Sequence, residues 1–171
     1  MDSLAIAHHL NAAHPSPPLP VETPQLARLR PLLREMMVAV RFAYVALVYH
    51  RLLSPASQAH WRATREAHVG MDMDALHARY VADRAAWDAA WAAAEEALGG
   101  ISALLSEEKG GPFFLGEEVS WADFVWGGVL LFFERIGEDV LGELLTRAGE
   151  GREVHLRLLE ALRGWAGCEE D

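Results

Sequence analysis

The chain has 171 residues, of which 51% are hydrophobic, and a formal net charge of −10. That length holds one domain, or one domain and a fragment of another, with ample apolar content for a core. The acidic balance excludes a nucleic-acid partner, which demands a basic face, and no apolar run approaches the roughly 18–20 residues that cross a bilayer.

The first helix is predicted over Ser3–Ala13. Acid and no basic stretch precedes its apolar residues, unlike a secretory leader. Pro15 to Pro20 form a proline-rich linker. Thr23 caps the next helix, with Pro24 at the first helical position. Leu26, Leu29, Leu33, Met36 or Met37, Val40, Tyr44 and Leu47 then recur at three- and four-residue spacing. Val38, Val45 and Val48 add a second apolar face, so one central helix is expected from Thr23 onward. Pro31 either kinks it or delays its start. Ser54-Pro55 opens another helix and Gly70 ends it. Beyond a short helical turn capped by Asp72 or Asp74, a long helix is predicted to about Glu108. Its stripe is Trp87, Trp91, Ala94, Leu98, Ile101 and Leu105. Within it Gly99-Gly100 mark either a close helix contact or a bend, at about 1 kcal/mol of helix propensity each. Glu138 to Trp165 reads as one or two amphipathic helices broken near Gly149-Glu150-Gly151, and Cys168–Asp171 as a frayed end. The lone cysteine, Cys168, forms no internal disulfide and suits a reducing compartment, the cytoplasm. No alternating β-branched run bounded by turns occurs, so the expected fold class is all-α.

The densest signal lies between Gly110 and Ile136, GGPFFLGEEVSWADFVWGGVLLFFERI. Gly110-Gly111-Pro112 stops the preceding helix. Ser120 and Asp123 stand at capping-box spacing: the serine oxygen faces the Asp123 amide, and the carboxylate reaches back to the Ser120 amide. Val119 and Phe124 sit at staple spacing around this structural cap. The FVWGGVLLFF run behind them is apolar all round, which predicts a helix buried on every side.

The S-x-x-D cap opening a buried helix after a GPFFLG turn resembles the C-terminal domain of glutathione transferases. Leu52–Gly70, LLSPASQAHWRATREAHVG, is similar to the corresponding segment of fungal members related to the bacterial β-etherase type. The likeness runs from about Met1 to Gly137. It implies the family's helical domain over residues 23–171, preceded over residues 1–22 by the last helix of a thioredoxin-like domain and its linker. An acidic-Ser pair at this place in full-length members holds the γ-glutamyl group of glutathione, which implies that role for Asp2 and Ser3. The resemblance finds no counterpart here for the earlier part of that domain, which activates the glutathione thiol. The expectation is therefore an N-terminally truncated chain whose Met1 corresponds to an internal methionine. Such a chain carries the second-substrate half of the site and is inactive alone. In its complete form it would add glutathione to a small electrophile, cleave an ether or isomerise a substrate. Glutathione is the implied co-substrate, and a homodimer the implied assembly, through the helix from Thr23 and the helix of Trp87 and Trp91, with the first helix poorly anchored in a monomer. The alternative is a non-catalytic helical module that binds an apolar ligand or a partner protein.

In the family the second helix of this chain lines the second-substrate pocket, which implies that role for Met37, Arg41 and Tyr44. By chemistry, an arginine one turn from a tyrosine amid apolar neighbours suits an acidic or aromatic ligand. The same pattern also fits a core tyrosine beside an arginine that snorkels outward. The eight histidines show no metal-ligand spacing. His68, Asp72, Asp74 and His77 read as a solvated surface, and Arg62, Arg65 and Glu66 as a surface ion-pair network. Trp121 and Trp126 read as core.

Overall fold

Among residues 3–108 and 110–167, which the computed structural model describes, the chain forms ten α-helices and no β-strand. They are α1 (Ser3–Ala13), α2 (Pro24–Ala39), α3 (Arg41–Arg51), α4 (Pro55–Val69), α5 (Met73–His77), α6 (Arg84–Ala92), α7 (Glu95–Leu105), α8 (Trp121–Ile136), α9 (Glu138–Arg147) and α10 (Arg152–Ala166). A π-helical turn over Ala78–Ala82 joins α5 to α6, and a 3-10 turn over Gly149–Gly151 joins α9 to α10. Asp2 and Cys168 lie outside the described residues.

The start of α2 follows its sequence signals: Thr23 Oγ1 accepts from the Leu26 amide at 3.1 Å, and Pro24 is the first helical residue. The single helix expected onward from Thr23 is instead two. Pro31 sits inside α2 without ending it, and the break falls at Val40, where ψ relaxes to 6°. Both flanking helical bonds survive there, Val40 N–H to Met36 O and Tyr44 N–H to Val40 O, each at 3.1 Å. The bend lets α2 pack along α7 while α3 turns to α5 and α8.

The predicted long helix is likewise divided. Asp83 accepts from the Ala85 and Ala86 amides at 3.0 and 3.3 Å and starts α6 afresh. A second break falls at Ala93-Ala94. Its stripe is nonetheless buried throughout, from Trp87 to Leu105. The glycine pair resolves as a close contact: α7 runs unbroken through Gly99 and Gly100, and a β-carbon on Gly100 would stand 2.9 Å from Leu32 on α2.

Helix α8 packs against α2, α3, α9 and α10. Its buried face carries Ala122, Asp123, Trp126, Gly127, Leu130, Phe133 and Ile136. It is not buried on every side, as its composition suggested: Val125, Val129, Leu131 and Phe132 are half-buried and Gly128 is exposed. The turn ahead of it is closed by paired bonds between Phe113 and Gly116, with Gly116 at φ +76°, the left-handed region that favours glycine. Helix α1 is held by buried Ala7 and by Asn11, whose side chain exchanges hydrogen bonds of 3.0 and 2.8 Å with the Leu19 backbone. The Trp121 amide donates to Pro20 O at 2.9 Å, which ties the linker to the start of α8.

Candidate functional site

Two apolar clusters divide the molecule. The main core runs from Leu26 to Leu162. A satellite of Ala46, Tyr49, Met73 and Leu76, flanked by Phe42, Val45, Trp61, Val69 and Tyr80, attaches α4 and α5 to α3. Helix α4 buries no residue completely. Polar links moor it: Gln58 Nε2 donates to Tyr49 O at 3.0 Å, and Arg62 donates to the Tyr49 hydroxyl at 2.7 Å.

A cleft of about 300 Å³ opens between α3 and α4, lined by Arg41, Tyr44, Val45, Trp61, Arg65, His68 and Val69. The Tyr44 ring is braced edge-on by Phe132 of α8 at 5.9 Å between centroids. Burial pushes its phenol up, and the nearby Arg41 and Arg65 charges pull against that rise without cancelling it. Arg41 stacks on Phe42, its Cζ 4.5 Å from the ring centre, and Arg65 stacks on Trp61 at 4.9 Å. The Trp61 indole N–H is buried and has no acceptor. His68 Nδ1 lies 3.2 Å from the Thr64 carbonyl, an acceptor, so Nδ1 carries the proton there.

Arg41 and Tyr44, which sequence reasoning pairs, both line this cleft. Met37 does not line it; it lies half-buried against the main core, a full turn before Arg41 and across the bend at Val40. Ser3 is exposed in the first turn of α1. Arg65 was expected in a surface ion-pair network. Only Arg62 forms one, with Glu66, Asp72 and Asp74, while Arg65 turns to Trp61 and the cleft. Trp61 and His68 complete the walls. Their only sequence signal is the spacing of residues 61, 65 and 68 along one helix face.

A second polar constellation crosses the core and is closed to substrate. His155 is fully buried between Trp126, whose Nε1–H donates to Nδ1 at 3.0 Å, and Ser102, whose Oγ lies 2.8 Å from Nε2. Because Nδ1 accepts, the Nε2 nitrogen carries the proton and donates to Ser102. The serine hydroxyl passes its own hydrogen on to Leu98 O at 2.9 Å. A histidine that donates to a serine cannot take that serine's proton, so the pair is no nucleophile and base. Burial alone drives the His155 pKa down to about 4. The network pins α7, α8 and α10 together.

Ion pairs elsewhere are structural. Arg147 holds Glu143, Glu95 and Asp88 at 2.7–2.9 Å and so links α9, α7 and α6. His50 and His77 pack ring to ring at 4.7 Å beside Asp74. Among the described residues no group of three or more His, Cys, Asp or Glu is arranged to hold a metal ion, and no helix is long and apolar enough to cross a membrane.

No curated protein matches this chain. A family profile, described as the C-terminal domain of glutathione S-transferase, matches residues 30–153. That span takes in the bend between α2 and α3, the cleft, the capped α8 and the helices from α3 to α9. With more than two thirds of its length matched, the chain belongs to the glutathione S-transferase C-terminal domain family.

Proposed function

We propose that this chain supplies the electrophile-binding side of a glutathione transferase, with the cleft between α3 and α4 as that site. The observation that carries the reading is the meeting of Arg41, Tyr44 and Trp61 around one half-apolar cavity in a chain of this family. Glutathione would be the co-substrate. Asp2 and Ser3 are proposed to hold its γ-glutamyl end, the role that the family resemblance implies for an acidic-Ser pair at the start of this helix, whose positive dipole end favours a carboxylate. The likeness of Leu52–Gly70 to fungal enzymes of the β-etherase type belongs to the same proposal, as do a homodimeric assembly and addition, ether cleavage or isomerisation as the reaction. The cleft's own groups bind and orient; turnover of glutathione with a generic aryl halide by this chain alone is expected to stay at the uncatalysed rate.

The test compares glutathione with its S-(2-naphthylmethyl) conjugate by two-dimensional NMR of the whole chain. The conjugate is expected to move the Trp61 indole signal and the amides of Arg41 and Tyr44, and glutathione alone to leave them in place. A conjugate that leaves α3 and α4 unperturbed would overturn the assignment. Saturable turnover that survives Asp2→Ala and Ser3→Ala would overturn the division of labour.

A further inference from the structure

The cleft is cationic in an acidic protein. The chain carries a formal charge of −10, yet the cleft walls hold two guanidinium groups and no carboxylate. Arg28, Arg51, Arg62, Arg84, Arg147 and Arg163 are each tied to an aspartate or glutamate. The cavities beside Arg34, Arg157 and Arg163 each include a glutamate as well. Arg41 and Arg65 form no ion pair and donate no hydrogen bond to another described residue.

Their posture fits recognition. Each guanidinium is stacked on an aromatic ring, which holds its plane and leaves its N–H edge free. Those donors add to the Tyr44 hydroxyl, which has no protein partner among the described residues. The cleft therefore holds donors in excess, two positive charges, and apolar walls in Val45, Val69 and the Tyr44 and Trp61 rings. A neutral apolar ligand would fill the walls and leave the donors unmatched. A cation would be repelled. A flat acid satisfies both halves, its ring against the aromatics and its carboxylate on the guanidinium groups.

We infer that the cleft takes an aryl carboxylate, held through Arg41 and Arg65. Resting on the half-site reading above, this makes an aromatic acid the electrophile class of the transfer reaction.

The experiment titrates the full chain with 2-naphthoate, 2-naphthalenemethanol and 2-naphthylmethylamine, which share a ring system and differ in charge. The naphthoate is expected to bind about a hundredfold tighter than the alcohol, the amount two charge-assisted hydrogen bonds supply at about tenfold each, and the amine weakest. Arg41→Gln and Arg65→Gln should each weaken naphthoate about tenfold and leave the alcohol unchanged. Arg152→Gln, which alters net charge equally but lies outside the cleft, should leave naphthoate binding unchanged. The comparison of ligands on the unsubstituted chain stands even where a variant folds poorly. Equal binding of naphthoate and alcohol, or no effect of either cleft substitution, would overturn the anion inference and leave the half-site reading intact. If none of the three ligands moves the Trp61 indole or the Tyr44 amide, both fall.

Discussion

His155 shows how much of this fold rests on one titratable side chain. It joins Trp126 and Ser102 across three helices and stays neutral because the core offers no water to an imidazolium. In the unfolded chain the same ring takes its proton near pH 6.5, whereas in the folded chain it waits until about 4. Between those values the unfolded state binds more protons, so stability is full above pH 6.5 and falls as the pH drops toward 4. The loss should amount to about 3 kcal/mol by pH 4. Urea melts across this window should show the slope in the native chain. His155→Gln should be less stable overall yet lose far less of its stability over the same window. Equal pH slopes in both proteins would remove His155 as the source. Nothing local announced this network, because Ser102, Trp126 and His155 lie far apart in sequence and obey no helical spacing. Arg41 and Tyr44, three residues apart on one helix, were legible as a pair. Arg65 was not: its residue type fits a surface ion pair equally well, and only the fold decides that Arg62 takes the acids.

At the scale of the element, the start of α8 was the clearest signal and the structure builds on it. Both halves of the capping box between Ser120 and Asp123 are in place. The short contact of the serine hydroxyl is nonetheless one it donates, to Asp123 Oδ2 at 2.7 Å. That oxygen also accepts from the Ser120 amide at 2.8 Å, and Oδ1 accepts from the Phe114 amide at 2.8 Å. Burial pushes the Asp123 carboxyl up against these bonds, which favour its charged form. One carboxylate thus caps the helix and also clamps the GPFFLG turn, a contact the four-residue box did not reveal. Ser120→Ala should cost about 0.5–2 kcal/mol, in the range of a lost cap. Asp123→Ala orphans several buried donors at once and should cost more, about 3 kcal/mol. The double variant should cost less than the sum, since the two side chains share a bond. Strict additivity in urea melts, or Ser120→Ala the costlier change, would argue against the carboxylate as the hub. Helix boundaries were less legible than this cap. The apolar stripe from Trp87 to Leu105 keeps its phase across the break at Ala93-Ala94, because the core demands the phase and not an unbroken helix. The bend at Val40 hides for the same reason.

For the molecule as a whole, assembly is the open consequence of its surface. The helix of Trp87 and Trp91 and the helix from Thr23 were the expected dimer contact; both tryptophans are buried in the chain's own core, so a contact there would use other side chains of these helices. Of these two helices, α2 keeps a large apolar side chain outward. Val38 is 59% exposed, and it borders a shallow cavity with Pro31, Arg34 and Glu35. Neither Arg34 nor Glu35 forms an ion pair among the described residues. A two-fold axis brings a patch against its own copy, and a patch bearing adjacent opposite charges around an apolar centre complements itself. Arg34 of one protomer would then face the partner's Glu35, with the two Val38 side chains between them. Light scattering at high protein concentration should give the mass of two chains. Arg34→Glu and Val38→Asp should each shift it to one, the first by setting like charges face to face and the second by burying an unpaired carboxylate. Combining Arg34→Glu with Glu35→Arg exchanges the charges and should restore the dimer, a rescue that general destabilisation would not produce. A single-chain mass for the unsubstituted protein would rule the dimer out. A dimer that survives Val38→Asp would move the interface to the other exposed apolar groups, Ile6 and Leu10 on α1 or Trp165 on α10.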